Sequence, residues 1–75
     1  MTIIVLDTKG LNCPLPVLKA KKAIRDVPQG ATLQVLATDP GAVKDFEAFC
    51  ATTGHEFIGW RNDAGVLIID IRKRG

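Results

Sequence analysis

The stretch from Thr2 to Ala37, TIIVLD-TKG-LNCPLP-VLKAKKAIRDV-PQG-ATLQVLA, decides the fold. Thr2 to Asp7 is β-branched and apolar and is stopped by Thr8-Lys9-Gly10, so it reads as a strand. Pro14 to Val27 reads as a helix. Proline is tolerated in a first turn because the N–H groups there lack intrahelical partners. At the helical period Val17, Ala20, Ile24 and Val27 share one face, while Lys19, Lys22 and Asp26 point away. Pro28-Gln29-Gly30 ends the helix, and Ala31 to Ala37 alternates Leu33, Val35 and Ala37 on one face as a second strand. Strand, helix, strand in this order predicts a parallel pair joined by a right-handed crossover.

Working outward, Thr38-Asp39-Pro40-Gly41 reads as a helix start, with Asp39 accepting from free N–H groups and Pro40 at the first helical position. The second helix runs to about Thr52, with Val43, Phe46, Phe49 and Cys50 as its apolar stripe and Gly54 after it. His55 to Arg61 and Val66 to Lys73 read as two strands joined through Asn62-Asp63-Ala64-Gly65. The order β-α-β-α-β-β suits an α+β two-layer sandwich: a four-stranded mixed sheet with two helices on one face. Ile3 to Leu6 and Val66 to Ile69 are apolar on both strand faces, which leaves side chains for the open face. They read equally well as ordinary β-formers and as an interface.

The 75 residues make one domain, 1–75, and 47% hydrophobic with 24% charged residues excludes a disordered tail. No apolar run approaches the ~20 residues of a membrane span. The opening Met1-Thr2-Ile3-Ile4 lacks the features of a signal peptide, so the expected address is cytoplasmic. The two cysteines, Cys13 and Cys50, with one histidine, His55, are too few for a closed zinc site or a secreted stapling framework. The net charge of +2 is too mild to announce nucleic acid. Its distribution says more: Lys19, Lys21, Lys22 and Arg25 face only Asp26 in the first helix, and Asp39, Asp45, Glu47 and Glu56 face only Lys44 around the second.

Chemistry concentrates at Leu11-Asn12-Cys13-Pro14-Leu15-Pro16. Cys13 stands at or beside the start of the helix, where free N–H groups and the helix dipole favour a thiolate or a persulfide anion. Pro14 and Pro16 stiffen the turn and aim the sulfur. The plainer reading makes Cys13 a small residue at a cap, a place where Ser, Thr, Asp and Asn serve better. Cys50 sits inside an apolar stripe, which predicts burial and a raised pKa. His55 reads as a polar residue at a strand end, and Trp60 as cover for a sheet face. The tail Arg72-Lys73-Arg74 is expected to fray. Leu15 falls on the outer face of the first helix with Leu18 at its flank; the two would make a small apolar docking patch near the sulfur, while the favoured reading of Leu18 is the rim of the core. Leu15, with Lys19 and Lys22, is a candidate docking patch for acidic partners.

Gly10-Leu11 followed by Cys13-Pro14-Leu15-Pro16, together with Leu6-Asp7, Asp39-Pro40, Phe49-Cys50 and Gly54-His55-Glu56, resembles the TusA/SirA family of small sulfur-carrier proteins over essentially the whole chain. The resemblance implies sheet order 1-2-4-3 and a carrier cysteine at Cys13. That cysteine would take sulfane sulfur as a persulfide from a donor protein, a cysteine desulfurase or rhodanese, and pass it to an acceptor protein. It would thus be a sulfurtransferase acting with protein partners, with no metal or organic cofactor. Family uses include tRNA thiolation, molybdenum-cofactor metabolism and sulfur oxidation, and some relatives are linked to selenium. Leu15 and Asn12 stand where the tRNA-thiolating members often carry an acidic residue and an arginine, so the pathway stays open. A second reading is a non-catalytic RNA-binding or regulatory module using the basic first helix. Its binding would depend on salt and survive Cys13→Ser.

Overall fold

The strands Ile3–Asp7 (β1) and Thr32–Ala37 (β2) lie parallel, in register from Ile3 opposite Thr32 to Asp7 opposite Leu36. The computed structural model describes residues 2–75. The helix Leu15–Ala23 (α1) makes the crossover between the two strands. Ala42–Thr53 (α2) follows, and then the hairpin Glu56–Asp63 (β3) and Val66–Arg72 (β4). β4 inserts antiparallel between β2 and β3, which gives the order β1-β2-β4-β3. This is the expected two-layer sandwich.

The inward face of the sheet carries the core. Leu33, Val35 and Ala37 of β2 and Ile69 and Ile71 of β4 are wholly buried, and Phe46 of α2 and Ala20 of α1 close over them. Ile4 and Leu6 of β1 pack against this cluster, while Ile3 and Val5 alternate outward at 54% and 57% exposure. The open face is broken by polar pairing rather than continuously apolar. Gln34 Nε2 donates to Asp70 Oδ1 at 2.9 Å, and Arg72 meets Glu56 at 3.2 Å.

Local chemistry moves several boundaries. The first helix stops short of Val27: residues Ile24–Asp26 tighten into a 3-10 turn and Val27 is extended, at φ −80° and ψ 127°. Pro28 is the cause, because its ring excludes the helical region for the residue before it. α2 begins at Ala42 with Gly41 as its N-cap, and Asp39 supplies its backbone carbonyl to the Ala42 N–H at 3.0 Å rather than a side-chain cap. The Asp39 carboxylate is thereby free to face elsewhere. The hairpin is tighter than expected, with Asp63 opposite Val66. Only Ala64 and Gly65 turn the corner, both at positive φ (51° and 91°), the signature of the primed turns that match strand twist.

The C-terminal tail does not fray. Lys73 Nζ donates to the carbonyls of Ile24 at 2.7 Å and Val27 at 3.2 Å, satisfying acceptors that the end of a helix leaves open. Arg74 reaches Glu56 at 2.7 Å. Lys73→Ala should therefore lower the melting temperature, by about 4–8 °C for each kcal/mol lost, while Lys19→Ala, on the exposed face of α1, should leave it nearly unchanged.

Candidate functional site

The loop that carries Cys13 is pinned from both ends. Thr8 is buried, and both its N–H (2.8 Å) and its hydroxyl (2.6 Å) donate to the carbonyl of Leu36 on the neighbouring strand. Gly10, at φ +83°, reverses the chain where a side chain would be strained, and its N–H donates to Thr38 Oγ1 at 2.9 Å. Asn12 then accepts from Leu15 N–H at 2.9 Å, and α1 begins with Pro14 as its N-cap residue. Thr8-Lys9-Gly10 is thus more than a strand stop. It ties the turn before Cys13 to the end of the inner strand β2.

Cys13 is exposed and free, as a working thiol requires. It opens a groove of about 340 Å³ between the helices, lined by Pro14, Val17 and Lys21 of the α1 segment and by Asp45, Ala48, Phe49 and Thr52 of α2. The electrostatics differ from the sequence expectation. Pro14 and Pro16 carry no N–H, and the N–H groups of Leu15 and Leu18 are taken by the carbonyls of Asn12 and Pro14, so the helix end offers the sulfur little. Two carboxylates face it instead: the Cys13 sulfur and one oxygen each of Asp39 and Asp45 all lie within 4.8 Å of one another. The Cys13 thiol is pushed up from its ordinary value, first by its hydrogen bond to Asp45, then by lost hydration, then by the negative charges of Asp45 and Asp39. These surroundings disfavour the thiolate, against the expectation drawn from the helix end. Asp39 and Asp45 carried no signal for this in the sequence, because only the packing of α2 beside α1 brings them to Cys13. One thiol and two carboxylates fall short of the four-ligand shell of a structural zinc site.

The other candidates separate clearly. Cys50 is buried in the core, which pushes its thiol up to about 11. Iodoacetamide at neutral pH should therefore label Cys13 and spare Cys50 until the chain unfolds, and peptide mapping would locate the adduct. His55 packs against Phe49 at 6.0 Å between ring centroids and accepts from Arg74 N–H at 3.0 Å, and it does not line the Cys13 groove. Burial, then the Lys73 charge, lowers its pKa. Trp60 stands half exposed at the β3 edge beside Val43, Lys44 and Glu47 of α2.

A second groove, of about 550 Å³, runs along the outer face of α1. Leu15 and Leu18 line it at 47% and 48% exposure, so Leu18 belongs to this surface and not to the rim of the core. Leu11, Lys19, Lys21, Lys22 and Arg25 complete the lining, with no acidic side chain among them. Leu15, Lys19 and Lys22 thus share one surface, and Leu11, Lys21 and Arg25, which sequence reasoning left out, extend it.

Comparison with known proteins places this geometry. The family model described as sulfurtransferase TusA matches residues 4–73. The chain is 48% identical over 68 residues to the sulfur carrier protein TusA of Allochromatium vinosum, covering 91% of this chain and 90% of that protein. It is 49% identical over 69 residues to a putative sulfur carrier protein of Neisseria meningitidis, covering 92% and 93%. The crystal structure of a SirA-like protein from Desulfitobacterium hafniense superposes with a TM-score of 0.82 at 25% identity, over 99% of this chain and all of that one. A pinned turn presenting one free cysteine, on a sheet of order 1-2-4-3 and with similarity running nearly end to end, leaves one assignment: the chain belongs to the TusA family.

Proposed function

We propose that the protein is a sulfur relay in which Cys13 is the covalent carrier. The observation that carries the reading is an exposed free thiol on a pinned turn, in a chain similar to sulfur carriers over nearly its whole length. The Cys13 thiolate attacks the terminal sulfur of a donor's persulfide, the donor's S–S bond breaks, and an acceptor later takes the sulfur by the same exchange. Pro14 and Pro16 fix the start of α1 and hold the sulfur outward; they do no chemistry. No step calls for a metal or an organic cofactor. No described helix is long and apolar enough to cross a membrane. A carrier that works through a free thiol suits the reducing cytoplasm.

Donor and acceptor are proteins, a cysteine desulfurase or rhodanese on the giving side. The leucine-lined groove with Lys19 and Lys22 at its rim is the surface they meet. Lys19→Glu with Lys22→Glu should slow sulfur uptake from an acidic donor protein by about tenfold at low salt, with the difference shrinking as salt rises. The RNA-binding alternative gains no support: the basic residues of α1 border leucines, and Trp60 lies away at the β3 edge.

Intact-mass analysis after incubation with a cysteine desulfurase and cysteine tests the relay. A gain of one sulfur atom that a reductant reverses is the expected result. A chain that takes up no sulfur from several desulfurases and rhodaneses would overturn it.

A further inference from the structure

We propose that Asp39 and Asp45 are positioning residues that bias Cys13 toward giving its sulfur away, by accommodating the empty thiol and repelling the charge of the loaded persulfide. The proposal rests on Cys13 being the carrier and adds what sets the direction of its traffic.

The geometry comes from two separate segments. Asp45 projects from α2, and Asp39 from the turn before it, where its side chain caps nothing. One oxygen of each lies within 4.8 Å of the other and of the Cys13 sulfur. Asp39 Oδ2 is sealed from solvent and has no hydrogen-bond partner among the described residues, so that carboxylate is only partly hydrated. Among the described residues, the only cation lining the groove is Lys21, on α1. Lys9, in the loop before Cys13, is turned to Asp7 at 3.8 Å. The sulfur therefore sits in a locally negative field, although the chain as a whole carries +2.

The two states of the carrier meet this field differently. The empty thiol carries no charge and lies beside Asp45 and Asp39. A persulfide is a stronger acid than its parent thiol, since the second sulfur shares the charge, so the loaded carrier is an anion at neutral pH. Two carboxylates at this range disfavour that anion. In loading, the Cys13 thiolate forms the Sγ–S bond while the donor's S–S bond breaks. Its electron pair goes to the donor sulfur, which takes up the proton that Cys13 released. In discharge, an acceptor thiolate attacks the terminal sulfur, the Sγ–S bond breaks, and the departing Cys13 sulfur is reprotonated and returns to Asp45. No net electron is gained or lost. The carboxylates raise the energy of the loaded anion and tolerate the uncharged thiol beside them, so each discharge is favoured.

The test compares the full chain with Asp39→Asn/Asp45→Asn and with Asp45→Glu, each shown to be folded by its thermal melt. Each is equilibrated at pH 7 with glutathione persulfide and glutathione at one fixed ratio, and the loaded fraction is read by intact mass. The double Asn variant should hold sulfur with an equilibrium constant about tenfold higher. High salt should narrow the difference, and Asp45→Glu should stay near the parent. In parallel, the pH midpoint of Cys13 alkylation by iodoacetamide should move down in the double Asn variant and not in Asp45→Glu. Equal loading in parent and double Asn variant would overturn the proposal, as would an unmoved midpoint. A midpoint that moves in a chain that takes up no sulfur from any source would refute the relay itself, and the directional role would fall with it.

Discussion

Cys13→Ser should fold as well as the parent and take up no sulfur, whereas Cys50→Ser should take up sulfur normally and be the less stable protein. The contrast follows from where each sulfur sits. Cys13 is exposed, and a serine hydroxyl fits the same place beside Asp45, so little folding energy changes. Chemically the change is total, because a hydroxyl forms no persulfide. Cys50 is 4% exposed and belongs to the same core cluster as Phe46 and Phe49. A hydroxyl placed there must find a backbone acceptor or go unsatisfied, at a cost of about 1–3 kcal/mol. That should appear as a fall in melting temperature of about 4–8 °C for each kcal/mol. Intact mass and a thermal melt on the two variants check both halves. Loss of sulfur uptake by a folded Cys50→Ser would mean that the buried thiol takes part in the relay.

The site was legible where chemistry is local and illegible where it depends on packing. Cys13 stood out because proline on either side of Leu15 marks a helix start, and a start is a place a helix exposes. Leu15, Lys19 and Lys22 were legible by helical spacing. What the sequence hid was the sign of the local field. Counting backbone donors at a helix end suggested a thiolate, but the same prolines that announce the helix remove two of those donors, and Leu15 and Leu18 spend theirs on nearby carbonyls. Asp45 lies more than thirty residues along the chain, and nothing local to it says that α2 will pack beside the Cys13 turn. Asp39 read as a cap because Asp before Pro usually is one. The helix begins two residues later, and its carboxylate turns to the sulfur.

The fold was legible for a different reason. Each strand except β3 has a clear apolar alternation or run, and each helix has a stripe, so the element order needs no tertiary knowledge. The misplacements fall at junctions ruled by single residues. Pro28 shortened the first helix, and the pairing of Asp63 with Val66 shortened the hairpin loop. The tail reads as loose because three cations at a chain end have no visible partners. Their partners, the carbonyls that end the first helical segment and the Glu56 carboxylate, are supplied by distant elements.

Phe46→Ala should remove most of the stability of the domain. Phe46 is wholly buried in the core cluster that holds Leu33, Val35, Ile69 and Ile71, and it meets Phe49 edge-on at 6.3 Å between centroids. Truncating a buried phenylalanine costs about 3–5 kcal/mol, since the lost burial adds to the cavity left behind. A domain this small has few other contacts to share the loss, and its total stability belongs at the low end of the usual ~5–15 kcal/mol. A fall in melting temperature on the order of 20 °C is expected. The effect reaches the site, because α2 carries Asp45 and one wall of the Cys13 groove. Uptake from a donor protein should therefore fail at temperatures where the parent still works, although the Cys13 thiol itself is intact. Trp60→Ala is the discriminating companion. Trp60 is the larger side chain but is 52% exposed at the edge of the sheet. If burial rather than size sets the cost, its loss should be less than half that of Phe46→Ala in a denaturant titration. Equal losses would show that the β3 edge, rather than the interface between α2 and the sheet, limits the stability of the fold.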